Sequence, residues 1–469
     1  MFRHPTRLLL LTACAALSLF ATAASAQTRV PPLNYKERTL ANGLRVYTVP
    51  DKSSPTVSIQ VWYKVGSKDD PEGRSGFAHL FEHLMFKSTK NMKDETMDRL
   101  TEDVGGFNNA STYDDFTNYY EVVPSNYLET LLWAEADRMG SLNVTDKNFP
   151  AERDVVKEEF RQRYLSQPYG MLFYLIEKRS FTTHPYRRPG IGSIEELDAA
   201  TLEDVKAFHK TFYRPDNATL IVVGDFDQKQ LDGWIDKYFG RVPKPNTPLP
   251  RVTVKEPARA GEKRFTEYRP NVPLPAVALT YLAPPVSNDD SYALKVAEAI
   301  LSAGESSRLY QSLVYEQQIA QNAFSNADLR EDPGLFVLAA ILASNKKPEE
   351  AERSLIAELR KLQQTPVTQA ELDKAKNQLI TNGLKERETN DGKGFAIGQA
   401  AVLMGDARRA NDSIDRLSAV TAADVQRVMQ KYFTDANRVV IYYLDDSAKP
   451  AAEKTGAATS NADAKEGRQ

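Results

Sequence analysis

Cysteine is almost missing from this chain. Its one cysteine, Cys14, lies in the first 26 of 469 residues, so the remainder has no disulfide, no thiol nucleophile and no cysteine-held metal. Charge of one sign is equally scarce: 60 basic residues face 63 acidic ones, which excludes general binding to nucleic acid or to an anionic membrane surface. Beyond the first 26 residues no stretch approaches the roughly 20 apolar residues of a membrane span, so no transmembrane segment is expected. Histidine is rare as well. Only His79, His83, His184 and His209 follow the leader, so any imidazole chemistry must come from these four.

Residues 1–26 carry Arg3 and Arg7, then a mostly apolar run from Leu8 to Ala21, then Ala24-Ser25-Ala26 before Gln27. That order is a secretory signal peptide, which predicts an exported chain. Leu11-Thr12-Ala13-Cys14 also fits lipoprotein cleavage, with a lipid on Cys14. The residues after Cys14 stay apolar through Phe20 where a lipidated chain would begin a polar tether, which argues for the soluble reading.

What remains is more chain than one core usually organises. An internal repeat divides it. Thr201-Leu202-Glu203-Asp204-Val205 recurs as Thr421-Ala422-Ala423-Asp424-Val425, and the same offset of 220 pairs Asn217 with Asn437, Ile221 with Ile441 and Asp225 with Asp445. In both copies an amphipathic helical stretch ends in an aromatic pair and passes through a turn into a β-rich run, 218–223 or 438–443. Period-2 alternation predicts a strand over Thr56–Tyr63 with a counterpart at 276–281, and helices are predicted over 202–211, 349–363 and 369–387. Pro243, Pro245, Pro248, Pro250 and Pro257 exclude a regular helix and predict a stiff linker. The expected organisation is α+β in two homologous halves, each a mostly antiparallel sheet with helices packed on it. Residues 33–240 form the first half, 241–261 the linker, 262–446 the second half and 447–469 a disordered tail.

Two of the four histidines share one short window, His79-Leu80-Phe81-Glu82-His83. On a helix positions 79 and 83 are about 40° and about 6 Å apart, so both imidazoles reach one metal ion while Glu82 stays near the same face. Such a pair supplies only two ligands, and a catalytic zinc site needs a third beside an open position. Glu152 and Glu159 lie seven apart, two turns of a predicted helix, and share a face. Spacing alone favours a solvated, salt-bridged helix over a ligand pair.

The inverted H-x-x-E-H motif, with Gly76-Phe77-Ala78 before it and Glu159 in Glu152-Arg153-Asp154-Val155-Val156-Lys157-Glu158-Glu159 76 residues beyond His83, resembles the pitrilysin and mitochondrial-processing-peptidase family of zinc metallopeptidases. The resemblance implies one Zn²⁺ per chain on His79, His83 and Glu159, Glu82 as general base and Glu152 as an orienting carboxylate. It also implies that Arg308 and Tyr315, seven apart on a predicted helix, complete an active site by donating to an oxyanion. In the family's terms, Phe107, Asn108, Asn109, Ala110, Ser111 and Thr112 would form an edge strand that takes substrate as a further strand.

The repeat adds an internal comparison. At an offset of 219 Glu371 falls opposite Glu152 and Gln378 opposite Glu159, while Glu298, Leu301 and Ser302 stand opposite His79, Glu82 and His83. The second half has no zinc set of its own. The function expected is zinc-dependent endopeptidase action on oligopeptides or unfolded segments in a chamber of four halves. One chain supplies two halves, so a homodimer or a heterodimer with a related chain is expected, in the periplasm by resemblance. The rival readings are a non-catalytic scaffold or peptide-binding subunit, which predicts missing ligands, and a structural zinc protein, which predicts a closed four-ligand site.

Overall fold

Among the described residues eleven strands fall into two sheets of one design. A computed structural model describes residues 31–450; the leader at 1–26 and the tail beyond 450 lie outside the described residues. The strands are β1 (Lys36–Thr39), β2 (Arg45–Pro50), β3 (Thr56–Tyr63), β4 (Phe107–Thr112), β5 (Thr117–Pro124), β6 (Ala218–Gly224), β7 (Lys263–Arg269), β8 (Ala276–Leu282), β9 (Ala320–Asp328), β10 (Leu335–Leu342) and β11 (Arg438–Asp445). The first sheet runs β1-β2-β6-β3-β5-β4 and the second β7-β11-β8-β10-β9. In each, one pair is parallel, β2 with β6 and β7 with β11, and every other pairing is antiparallel. Dropping β1 makes the two orders identical, so the repeat is a repeat of topology.

The conserved offset has a local physical cause. Thr201 and Asp204 form a reciprocal capping box at the start of helix Leu202–Phe212, and Thr421 and Asp424 do the same for helix Ala422–Tyr432. The predicted helices at 349–363 and 369–387 are Pro348–Gln364 and Gln369–Glu386, the second also opened by a capping box, Thr368 with Glu371. Each sheet packs one face against its own helices, in a first core around Ile59, Tyr119 and Leu220 and a second around Leu279, Leu338 and Val428.

The opposite face of each sheet is covered by the other half. Helix Gly170–Ser180, from the first half, lays Leu172, Leu175 and Ile176 on Ala278, Val439 and Ile441 of the second sheet. Helix Asn390–Gly398, 220 residues on, lays Ile397 with Ala400 and Ala401 on Trp62, Ile221 and Val223 of the first. Gly394 and Gly398 make that approach possible: a Cβ at Gly398 would stand 2.2 Å from the Trp62 ring, and one at Gly394 2.5 Å from the Gln60 amide. Gln60 Nε2 donates to the Asp391 carbonyl at 2.9 Å, and Lys393 pairs with Asp51.

The proline-rich stretch is extended, as its composition predicts, but it is strapped down. Arg214 donates to the Pro245 and Thr247 carbonyls, Arg251 donates to the Lys64 carbonyl, and the Glu256 carboxylate accepts from the backbone N–H groups of Thr182, Thr183 and His184. At the other end Ser447 lies in the short turn Asp446–Ala448, where its N–H donates to the Asp445 carboxylate, so order persists slightly past the boundary expected at 447.

Candidate active site

The motif helix, Phe77–Leu84, begins at Gly76, whose φ of 93° lies in the left-handed region. A Cβ there would stand 2.6 Å from the Ile191 carbonyl oxygen, so glycine is required twice over. The buried Asp70 carboxylate accepts from the N–H groups of Gly76 (2.7 Å) and Ala78 (2.9 Å), satisfying donors that a helix start leaves free. Burial pushes Asp70 up to about 8, against the pull of those two N–H groups. Phe77, Ala78, Leu80, Phe81 and Leu84 are buried, and Phe81 stacks on Phe208 with centroids 5.3 Å apart. Tyr119, from β5, donates to the Phe81 carbonyl at 3.1 Å. A helix fixed on its apolar side leaves its polar side, with His79, Glu82 and His83, in one orientation.

The second helix, Asn148–Phe160, is anchored by buried Phe149, Val156 and Phe160 and turns Glu152 and Glu159 toward the motif. His79 Nε2 lies 3.0 Å from Glu159 Oε2, His83 Nε2 lies 3.5 Å from the same oxygen, and the two Nε2 atoms are 3.2 Å apart. These three residues are also the metal-competent group found among the described residues. Zinc–nitrogen bonds of about 2.0–2.1 Å in a tetrahedron give edges of roughly 3.3–3.4 Å, close to the triangle formed here. Two ring nitrogens aimed at each other and at one carboxylate oxygen leave lone pairs facing a common point, the donor set a metal ion satisfies. The residues fit zinc. Hydrogen bonding to His79, and then to His83, holds Glu159 far below the ordinary carboxylate range.

Glu152, 8% exposed, places Oε2 3.8 Å from His83 Nδ1, on the far side of that ring from Glu159. Its other oxygen is held by Lys87 Nζ at 2.9 Å. Lys87 therefore positions the carboxylate that faces the histidine, a role its place four residues after His83 did not announce. Glu82 is half-buried, and among the described residues its carboxylate has no hydrogen bond or ion pair. It is free to act as a base.

The predicted edge strand is an edge. β4 pairs with β5 alone, and Thr112 Oγ1 at its end reaches the Ala78 carbonyl of the motif helix at 3.4 Å. Phe107 is exposed, Asn108 turns inward to Thr101 Oγ1 at 2.7 Å, and Asn109 Oδ1 accepts from the Ala110 N–H at 2.8 Å. Arg308 and Tyr315 are not brought together by helical spacing. Residues Tyr310–Glu316 form a π-helix, whose i→i+5 bonding puts more residues in each turn, so a separation of seven no longer returns to one face. Arg308 makes a bidentate pair with Glu371 (2.9 and 3.1 Å), while Tyr315 is 70% exposed. Among the described residues neither bonds to His79, Glu82, His83 or Glu159.

The remaining histidines are structural. His209 is half-buried beside Phe81 and stacked on Tyr213 with its Nε2 buried, and this burial pushes it down to about 4. His184 is buried 3.4 Å from Asp332 and accepts from the Tyr186 N–H. In the second half the position matching the metal site is a small cleft lined by Ala299, Ser306, Glu371, Lys374 and Gln378, without a histidine.

Residues 45–192, which hold the whole donor set, match the family model described as Insulinase (Peptidase family M16), and residues 199–379 match that described as Peptidase M16 inactive domain. A curated relative, "Zinc protease PqqE" of Helicobacter pylori, is 33% identical over 419 residues, covering 89% of this chain and 94% of the relative. The chain belongs to the M16 peptidase family. The solved structure titled as a protease from Helicobacter pylori superposes on this M16 chain with a TM-score of 0.84 at 33% identity, covering 88% of this chain and 100% of that one. A probable mitochondrial-processing peptidase subunit beta of Arabidopsis thaliana is 25% identical over 85% of this M16 chain and 76% of its own length.

Proposed function

We propose that the chain is an exported, periplasmic zinc-dependent endopeptidase that cuts oligopeptides and unfolded segments, and that it works as a dimer enclosing a chamber of four halves. The observation that carries this reading is the convergence of His79, His83 and Glu159 on one point with an unpaired Glu82 on the same helix. His79, His83 and Glu159 would hold one Zn²⁺. Zinc there supplies Lewis acidity toward the scissile carbonyl and the attacking water. Glu82 accepts the water's proton at a carboxylate oxygen and returns it to the leaving amine. Glu152, held by Lys87, orients the His83 ring. The open edge of β4 pairs with an extended peptide through main-chain hydrogen bonds, which grips it whatever its side chains. Arg308 and Tyr315 belong to this proposal as oxyanion donors delivered by the second chain of the dimer.

The test is hydrolysis of an unstructured peptide with and without a chelator, with cleavage sites mapped by mass spectrometry. Chelator-sensitive cuts at internal bonds support the reading; activity indifferent to a chelator removes it. Light scattering tests the assembly separately, and a fully active monomer would contradict the four-half chamber.

A further inference from the structure

A cavity of about 640 Å³ opens in the second half among helices Asp290–Ser302, Gln369–Glu386, Asn390–Gly398 and Arg409–Ala419. One wall is the helix that crosses to the first sheet, which contributes Phe395 and Ala396; Leu379, Ile414 and Leu417 add an apolar patch to a lining that is otherwise polar, with Asn382, Thr389 and Gln399. Three cations, Lys295, Arg387 and Arg409, line the same space. Among the described residues none of them lies within ion-pair distance of a carboxylate, although Glu298 and Glu386 act on Lys295, Glu386 on Arg387 and Asp406 on Arg409 from farther off. Arg387 reaches only the Ala410 carbonyl and Ser413 Oγ, Lys295 has no hydrogen bond or ion pair, and Arg409 has a phenol, Tyr292, rather than a carboxylate beside it. Tyr292, 6% exposed, sets its buried hydroxyl beside Arg409, from which it accepts a hydrogen bond, and its own O–H faces no other acceptor. Two acids stand at the rim. Asp391 is taken up by Ser58 and Gln60, and Glu386 is exposed.

Half-buried cations with no carboxylate in ion-pair range keep an unmet electrostatic demand that an anion in the cavity would satisfy. The first half shows that the fold does not require the space. There Phe160, Tyr164 and Tyr174 pack ring against ring at centroid distances of 5.3 to 5.8 Å. At the offset of 219 that aligns Glu152 with Glu371, Leu379 replaces Phe160 and Gly383 replaces Tyr164. A Cβ on Gly383 would meet nothing within 4 Å. One copy closes this junction with aromatic rings, and the other leaves it open and lines it with three cations that have no carboxylate in ion-pair range.

We propose that this cavity is a second ligand site, which binds a small organic anion with an apolar body and one carboxylate or phosphate group. Lys295, Arg387 and Arg409 neutralise the head, Tyr292 donates a hydrogen bond to it, and the apolar body covers Phe395, Ile414 and Leu417. A volume of this size matches small-molecule sites in general. The shared chemistry has two sources, the terminal carboxylate of a peptide and a phosphorylated small molecule.

Titration calorimetry on the zinc-loaded full chain tests this with N-acetyl-leucine, phenyl phosphate and, as the uncharged control, N-acetyl-leucinamide. The expected result is that at least one anion binds tenfold or more tightly than the amide. Saturation by N-acetyl-leucine alone identifies the peptide end as the source, and by phenyl phosphate alone the phosphorylated compound. Lys295→Met and, separately, Gly383→Tyr should each weaken that binding at least tenfold, while His83→Asn leaves it unchanged. Urea midpoints of the two cavity variants at or above that of the parent show that they fold. The proposal is overturned if neither anion outbinds the amide, if binding survives both cavity variants, or if His83→Asn abolishes it, which would place the anion at the metal site.

Discussion

Replacing Gly398 by alanine puts a methyl group against a ring that has nowhere to go. Trp62 is fully buried, its indole N–H donates to Gln60 Oε1 at 3.0 Å, and it packs on Phe116 at 4.7 Å and Phe395 at 5.5 Å. The new Cβ would stand 2.2 Å from that ring, more than an ångström inside ordinary contact. Overpacking of a dense core costs about 1–3 kcal/mol, and a contact this short belongs at the upper end. Alanine recovers roughly 0.5–1 kcal/mol of helix propensity, so the net loss is about 2 kcal/mol. Gly383→Ala, where the Cβ meets nothing, supplies the control with propensity alone and should stabilise by about 0.5–1 kcal/mol. Equilibrium urea unfolding of both variants, read as shifts in midpoint at constant m-value, gives the comparison. Trp62→Phe in the Gly398→Ala background should recover part of the loss, because the smaller ring vacates the clashing volume. Gly398→Ala as stable as the parent would refute the tight crossing of the two halves.

Glu152→Gln should leave the fold intact and weaken metal affinity about 10–100-fold, measured by competition with a chelator; unchanged affinity would deny that the carboxylate beside His83 supports the site. The Asp51 carboxyl is held down at about 2, chiefly by its hydrogen bond from Lys393. A lowered carboxylate pKa contributes stability above its ordinary value near about 3.9, lost as pH falls from there toward 2. Asp51→Asn should therefore flatten the dependence of the urea midpoint on pH across that window; an unaltered slope would mean that the Lys393 pair contributes nothing.

Much of this could be read from the residues alone because its causes are local. The Thr201/Asp204 and Thr421/Asp424 boxes sit in sequence windows of four, and the strand over Thr56–Tyr63 has the bounds its alternation predicts, although it is buried on both faces instead of one because the crossing helix covers Ser58, Gln60 and Trp62. His79, Glu82 and His83 share one helix, and Glu159 comes within reach because its own helix is anchored by Val156 and Phe160. What the residues did not announce depends on distant partners. The crossing helices meet where Gly394 and Gly398 find Gln60 and Trp62, over 300 positions away. The linker is held by Arg214 and Arg251, whose acceptors no composition count contains. The π-helix at Tyr310–Glu316 separates Arg308 from Tyr315, since spacing was read at the α-helical period.

The central claim is that Glu82 is the base of a metal-dependent hydrolysis while His79, His83 and Glu159 hold the metal. Glu82→Gln changes one atom of a side chain that bonds to none of the three ligands. Metal content and peptide hydrolysis measured on the same preparation should show zinc near one equivalent per chain with activity reduced by about 10²–10⁴-fold, the usual range for a lost general base. Full activity at unchanged metal content would contradict the assignment.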